Sequence, residues 1–269
     1  MPLFHLILVA LIQGVTEFLP VSSSGHLVLL PLLTGLEDQG LLIDVAAHVG
    51  TLAAVILYFW RDVRAALYGL ARLLRGKVDT QGAWLALCLI IATVPVMVLG
   101  LVFKIFGIAE ALRSVEVIAW ATLIFAGVLF YADRTAKQTK AQAQLSLADS
   151  VKLGLWQALA LIPGTSRSGI TITGALALGY KREDGTRIAM LMSIPTIIAS
   201  AVFLLTDAVG GVIPWRDVSI VVGLSFLAAL GALALMMRLL RTVSFVPYVL
   251  YRVALGVVLL SLVYSGALS

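Results

Sequence analysis

PVSSSGH (Pro20–His26) and PGTSRSG (Pro163–Gly169) are the two stretches on which the fold of this chain turns. Each is a polar Pro/Ser/Gly turn between apolar runs. Pro2–Ile12 and Val151–Ile162 lead in, and Leu27–Leu33 and Ile170–Leu178 lead out. A helix of about 12 residues at ~1.5 Å per residue covers little more than half of a ~30 Å hydrocarbon core. A short apolar run, a break and a second short run describe a re-entrant helix–turn–helix that leaves a membrane by the side it entered. Non-helical backbone at that depth requires protein or a water-filled cavity around it.

The rest of the chain supplies the membrane. Of 269 residues, 61% are hydrophobic and 12% charged, and the mean hydropathy is +1.06. A soluble domain has about 45–50% apolar and about 25% charged residues, so most of this surface faces lipid. Six further segments are long enough to span: Leu41–Trp60, Trp84–Phe103, Val115–Tyr131, Asp184–Leu205, Val218–Met237 and Phe245–Tyr264. The fold class is therefore all-α and polytopic, with about six transmembrane helices plus two re-entrant helix hairpins. The net charge of +5 sits in short loops, which makes it a topology signal and excludes a nucleic-acid partner. The N-terminal apolar run has no basic flank and no small-residue cleavage site, so it is read as uncleaved. Cys88 has no second cysteine with which to pair.

The two halves repeat. Laying Ser22–Leu27 on Ser166–Thr171 gives an offset of 144 residues, and the same offset carries Leu41–Trp60 onto the span at Asp184–Leu205. Residues 1–269 form one membrane domain: half one at 1–132, a cytoplasmic linker at 133–150, half two at 151–269. Fourteen of the nineteen Lys and Arg residues fall in one set of alternate loops. Three (Lys104, Arg113, Arg216) fall in the other, and Arg167 and Arg252 lie outside both. The positive-inside rule makes the first set cytoplasmic. Both termini are then outside, the hairpins enter from opposite faces, and the repeat is inverted. Matched interrupted segments of this kind point to a site near the midplane.

Chemistry gathers at the two turns. Gln13 and Glu17 share a helix face at i, i+4. Ser22, Ser23, Ser24, Gly25 and His26 follow, and the second turn offers Thr165, Ser166, Arg167, Ser168 and Gly169. Glu17 and Arg167 either pair with each other or act on a ligand. Ionisable groups inside a membrane are costly, at roughly 2.5–3.5 kcal/mol for Arg or Asp at a helix centre, and pair or work. The serines are expected N-caps, and a capped N-terminus also binds anions. An arginine fork between two such ends fits a phosphate or diphosphate. Glu17, with Gln13 as ligand or supporting group, suits a hard divalent cation. His26 either attacks phosphorus or acts as a base toward Ser23 or water. His5 reads as structural, and Asp44 and His48 as cavity-lining. Arg252 is expected to reach the cytoplasmic interface, and Val63–Leu74 to form an interfacial amphipathic helix. Inverted repeats with broken helices also serve transporters, so a carrier or flippase for a polyprenyl phosphate or another anion stands as the alternative.

Gln13–His26 (QGVTEFLPVSSSGH) and Pro163–Gly169 together resemble the undecaprenyl-diphosphate phosphatase family, the membrane proteins linked to bacitracin resistance. The resemblance implies hydrolysis of the C55 isoprenoid diphosphate to the monophosphate carrier for cell-wall glycan synthesis. It also implies dependence on Mg²⁺ or Ca²⁺ and a multi-pass protein of the bacterial cytoplasmic membrane whose site opens to the outer face. By motif position, Glu17 and Gln13 would serve the metal, and His26 with Ser23 the phosphoryl chemistry. Arg167, flanked by Ser166 and Ser168, would hold the diphosphate. Gln13 departs from the family, many of whose members carry Glu there, and this leaves metal preference open. Homodimerisation is left open as well.

Overall fold

Serine and threonine start most of the helices that have a side-chain cap. The hydroxyls of Ser22, Thr80, Ser114, Ser146 and Ser166 accept the N–H groups of Gly25, Ala83, Val117, Asp149 and Gly169, filling donors that a helix start otherwise leaves open. The computed structural model describes residues 1–35, 39–207 and 213–266, and only the backbone of 24, 32–33, 109–110 and 203–207.

Within these bounds the chain is α-helical: α1 Leu3–Thr16, α2 Ser23–Thr34, α3 Leu41–Tyr58, α4 Trp60–Leu73, α5 Gln81–Ile105, α6 Ile108–Ala111, α7 Val115–Thr135, α8 Leu147–Ala158, α9 Arg167–Ala177, α10 Arg182–Asp207, α11 Trp215–Leu239 and α12 Val246–Tyr264. No strand occurs among the described residues. Six helices (α3, α5, α7, α10, α11, α12) are long and apolar enough to cross a membrane, one for each expected span. α1 and α8 are shorter, at 14 and 12 residues. A 3₁₀ turn at Leu159–Leu161 continues α8.

The ends of the helices sort into two groups. The Met1 ammonium pairs with Asp217 at the start of α11 (3.1 Å), and Tyr264 at the end of α12 donates to Glu116 at the start of α7 (2.9 Å). At the other end the Asp133 carboxylate, closing α7, accepts from Arg182 of α10 (2.6 Å) and from the N–H of Phe245 before α12 (3.2 Å). Between the two lies α11, 25 residues or about 37 Å. The α8–α9 hairpin starts and finishes at the Asp133 end: the Tyr180 hydroxyl, just past α9, donates to Asp149 in the first turn of α8 (2.7 Å). The α1 hairpin starts at the Asp217 end.

The segment between α7 and α8 is shorter than the 133–150 expected, because α7 continues to Thr135 and α8 begins at Leu147. It is also packed down. Gly179 O accepts from the N–H groups of Thr139 and Lys140, and Lys140 O accepts from Lys181 N. The Lys140 ammonium reaches Asp149 at 3.1 Å.

Close helix contacts rest on small residues, as in other membrane bundles. α3 packs on α11, where a Cβ on Gly50 would stand 2.0 Å from Ser225 Oγ. α1 packs on α11 and α3, α8 packs on α5, and α7 carries α12 on one side and α9 on another. α4 lies along α5 as the expected amphipathic helix, with Arg187 of α10 forking onto Asp62 (2.7 Å).

Candidate active site

The two turns share one backbone geometry. Ser22 and Ser166, 144 residues apart, take φ of 75° and 72°, a left-handed conformation that non-glycine residues rarely adopt. Each is the N-cap of the helix it precedes. The serines thus act as caps, and the Gly25 and Gly169 N–H groups, expected to face a ligand, are occupied by them. Gly164 lets the second turn lie on α7: its φ is +91°, and a Cβ there would stand 2.3 Å from the Ile118 carbonyl oxygen.

The turns meet. Ser168 Oγ donates to the Leu19 carbonyl of the first turn (2.9 Å) and touches Ser166 Oγ at 3.2 Å. Arg252 is the largest tie. Expected at the cytoplasmic interface, it is instead fully buried at 0% exposure. Its Nη1 donates to Pro20 O (3.4 Å), its Nη2 to Gly164 O (3.1 Å) and Thr165 O (3.0 Å), and its Nε to Thr122 O on α7 (3.3 Å). Snorkelling fails because a guanidinium with several donors finds carbonyls from both turns within reach.

Glu17 stands at the end of α1, 7% exposed. Its Oε2 accepts from Gln13 Nε2 (2.8 Å) and Ser23 Oγ (2.7 Å), and its Oε1 accepts from Arg167 Nη2. The pairing reading of Glu17 and Arg167 therefore holds, but it does not exhaust them. Arg167 Nη1, Gln13 Oε1 and Thr165 Oγ1 are buried without a hydrogen-bond partner. Such groups are costly, and here they cluster at the two turns: two donors and one acceptor without partners.

Arg167 borders a cavity of about 230 Å³ lined by Glu17, Ser22, Ser23, His48, Ser166 and Arg167, with Val45, Val96, Ala160, Leu161, Thr196, Ile197, Ser200 and Ala201, whereas Gln13 and Thr165 lie behind its wall. The first residues of α2 and α9 are both in this lining, so two helix N-termini, each with partial positive charge, face one space. Ser24 falls among residues whose side chains lie outside the description.

The two imidazoles are placed differently. His48 lines the cavity, with Nε2 3.8 Å from Glu17 Oε2. Its Nδ1 lies 2.8 Å from the Asp44 carbonyl. A carbonyl only accepts, so Nδ1 carries the proton and, in the neutral ring, Nε2 presents its lone pair to the cavity. His26 has the same arrangement on Ser22 O (2.7 Å), but its Nε2 meets the Tyr251 hydroxyl of α12 and its ring stacks on that of Tyr251. It is not among the cavity-lining residues. Asp44, also expected there, instead accepts from Gln39 at 2.8 Å. His5 is buried in α1, its Nε2 without a hydrogen-bond partner. Thr196 and Ser200 of α10 went unnoticed in the sequence; their signal was a pair of hydroxyls just after Pro195 inside a span.

A family model, the bacitracin resistance protein BacA, matches residues 6–258. The chain belongs to the BacA family. Named relatives cover nearly its whole length. A protein named undecaprenyl-diphosphatase from Ruegeria pomeroyi is 63% identical over 98% of this chain and 100% of its own. Proteins of the same name from Saccharophagus degradans and Maricaulis maris are 45% and 44% identical, each over at least 97% of both chains.

Proposed function

We propose that this BacA-family chain hydrolyses undecaprenyl diphosphate to undecaprenyl phosphate and inorganic phosphate, recycling the lipid carrier of cell-wall synthesis and conferring bacitracin resistance. One observation carries the reading most directly. Arg167 spends one nitrogen on Glu17 and keeps Nη1 buried and unpartnered, between two helix N-termini that face the same cavity. An anion with several acceptor oxygens satisfies that arrangement. The names of full-length relatives say which anion.

Phosphoryl transfer needs mainly positioning and charge neutralisation. Arg167 and the first-turn N–H groups of α2 and α9 other than those of Gly25 and Gly169 hold the terminal phosphoryl group. An oxygen, from water or from Ser23, forms a bond to its phosphorus as its proton passes to Glu17 or His48. The bridging P–O bond breaks, and the electron pair leaves with the lipid monophosphate. Should Ser23 attack, water then releases the phosphate from it. Ser23 is oriented by its bond to Glu17, and His48 Nε2 is the open acceptor nearest that carboxylate. His26 reaches the cavity only by giving up Tyr251, and in this reading it fixes the first turn.

The donor set fits one hard cation. Glu17 offers a carboxylate at the cavity wall, Gln13 behind it an amide oxygen with no partner, and the diphosphate would supply the remainder. Among the described residues no three His, Cys, Asp or Glu gather to cage a metal, so protein and substrate would hold it jointly, as Mg²⁺ sites commonly do. Mg²⁺ or Ca²⁺ bound there supplies charge neutralisation at the phosphate oxygens.

Orientation follows from loop charge. The cavity residues of α10 (Thr196–Ala201) and α5 (Val96) lie toward the helix ends that the positive-inside rule assigns to the outer face. The site then opens outward from a bacterial cytoplasmic membrane, both termini are outside, and the two hairpins are re-entrant from opposite faces. A carrier for the same anion needs no hydroxyl–carboxylate pair, which is why hydrolysis is preferred. The test is phosphate release from undecaprenyl diphosphate by purified protein, with Mg²⁺ or Ca²⁺ and then with EDTA. Release that EDTA abolishes is expected; none under either cation overturns the reading.

A further inference from the structure

His48 and Glu17 bring two acceptors together on one cavity wall. The Asp44 carbonyl takes the Nδ1 proton of His48, so the neutral ring has its lone pair at Nε2, 3.8 Å from Glu17 Oε2. That separation is too wide for a hydrogen bond. A lone pair and a carboxylate oxygen brought this close repel, unless a positive charge stands between them.

The ring is also held as a ligating histidine is held. A histidine on a metal typically gives its other N–H to a carbonyl, which fixes tautomer and orientation. His48 does so within its own helix, and α3 is pinned against Ser225 of α11 at Gly50, two residues on. His26 has the same arrangement at Nδ1, but its Nε2 is taken by Tyr251. His5 lies outside the cavity lining. Of the three imidazoles in the chain, His48 is the one that presents a lone pair to this space.

The spacing suits an ion. Two atoms each about 2.1 Å from one divalent cation stand at most about 4.2 Å apart, and 3.8 Å lies inside that limit. Glu17 Oε2 also accepts from Ser23 Oγ and from the uncharged Gln13, while Oε1 is occupied with Arg167. A hydroxyl rotates, so Ser23 can release Oε2 and turn its own oxygen toward the same ion.

We propose that His48 and Glu17 are the protein ligands of a divalent-cation site, and that the imidazole tilts its preference toward transition ions such as Zn²⁺ over Mg²⁺ and Ca²⁺. Imidazole nitrogen suits the former, whereas Mg²⁺ and Ca²⁺ take oxygen donors. Mg²⁺ and Ca²⁺ still bind through carboxylate and phosphate oxygens but lose what the nitrogen adds. The inference rests on the phosphatase reading only for the remaining ligands, the oxygens of a diphosphate. An imidazole on the ion takes no proton, so Glu17 is then the group left for that role.

Mn²⁺ is the spectroscopic probe, added to the purified full-length protein without substrate. Pulsed EPR should show its electron spin coupled to an imidazole nitrogen. Labelling the histidines with ¹⁵N should change that coupling in the unaltered protein, a measurement that needs no variant to fold. His48→Gln should abolish the nitrogen coupling, and His26→Gln should keep it. Competition for the Mn²⁺ signal should show His48→Gln weakening Zn²⁺ binding at least about tenfold and Mg²⁺ binding far less. The site is overturned by Mn²⁺ that does not bind or binds without nitrogen coupling, by coupling that survives His48→Gln, and by equal losses for Zn²⁺ and Mg²⁺. Nitrogen coupling in a protein that releases no phosphate under any cation would instead overturn the phosphatase reading and leave the metal site standing.

Discussion

Ser22 and Ser166 hold the same left-handed backbone at equivalent places in the two halves, each accepting a hydrogen bond from the glycine three residues on. The advantage that glycine already has over alanine at an N-cap should therefore widen here. Alanine at either position loses the cap, at about 1 kcal/mol, and keeps the strain of a positive φ. Glycine loses the cap but relieves the strain. Thermal denaturation in detergent should find Ser166→Gly more stable than Ser166→Ala. A gap no wider than the ordinary N-cap difference of about 1 kcal/mol would mean that strain at the turn does not matter.

Arg252 should prove a positioning residue. Arg252→Met leaves the carbonyls of Pro20, Gly164, Thr165 and Thr122 without their donor, at about 1–3 kcal/mol for a buried unsatisfied group. Phosphate release should fall as the turns part. Arg252→Lys, with a compact ammonium, should restore only part of both activity and stability. Full activity in Arg252→Met would remove this tie from the account.

Glu17 and Arg167 are mostly buried partners, at 6% and 15% side-chain exposure. Either single alanine substitution strands the other charge, a loss of about 3–5 kcal/mol for buried pairs, and abolishes phosphate release. The double variant should be more stable than either single one and equally inactive. Simple addition of the two losses in a double-mutant cycle would show that the charges are not coupled.

The two histidines can be separated kinetically. His48→Ala should lower kcat, because it removes the open acceptor beside Glu17. Tyr251→Phe should change kcat little if His26 only fixes the turn. Acid-labile phosphate trapped on His26 would reverse these roles, whereas acid-stable phosphate on Ser23 would identify the attacking oxygen.

A pH effect is expected at the Asp133 end of the bundle. Burial by itself raises the Asp149 carboxyl, but hydrogen bonds from Tyr180 and Lys140 outweigh it and hold the group below the usual carboxylate range. Burial and Asp149 in turn push the Tyr180 hydroxyl well up. A carboxyl depressed by folding stabilises the fold above its unfolded pKa, about 3.9. That stability is lost as pH falls through the lower folded value. Melting temperature should therefore drop on acidification below about pH 4, and Asp149→Asn should reduce that part of the drop. An acid limb identical in the variant would exclude Asp149 as its source.

Much of this was legible in the sequence, for physical reasons. A span is a local property, so six apolar runs became six helices with ends shifted by a few residues. A cap is also local, and serines placed just ahead of an apolar run announced it. What failed was partnership at long range. Arg252 showed its depth in a helix but not the carbonyls it meets 87 and 232 residues away. His26 and His48 are each one turn past a polar residue, and only the packing of α12 and α3 decides which ring is left open. Segment 133–150 read only as a polar linker because its contacts to Gly179 are made by backbone atoms, which carry no side-chain signature.

The brace behind the turns also fixes what the duplication has become. α7, the last helix of the first half, has no basic residue before Arg134, whereas α12 carries Arg252 at the heart of the site. Two first halves brought together would have a pair of Glu17 carboxylates and no buried cation behind them. Two second halves would have guanidinium groups and no carboxylate. Neither half can be exchanged for a copy of the other, so the chain has the outline of a symmetric dimer and the genetics of an indivisible enzyme.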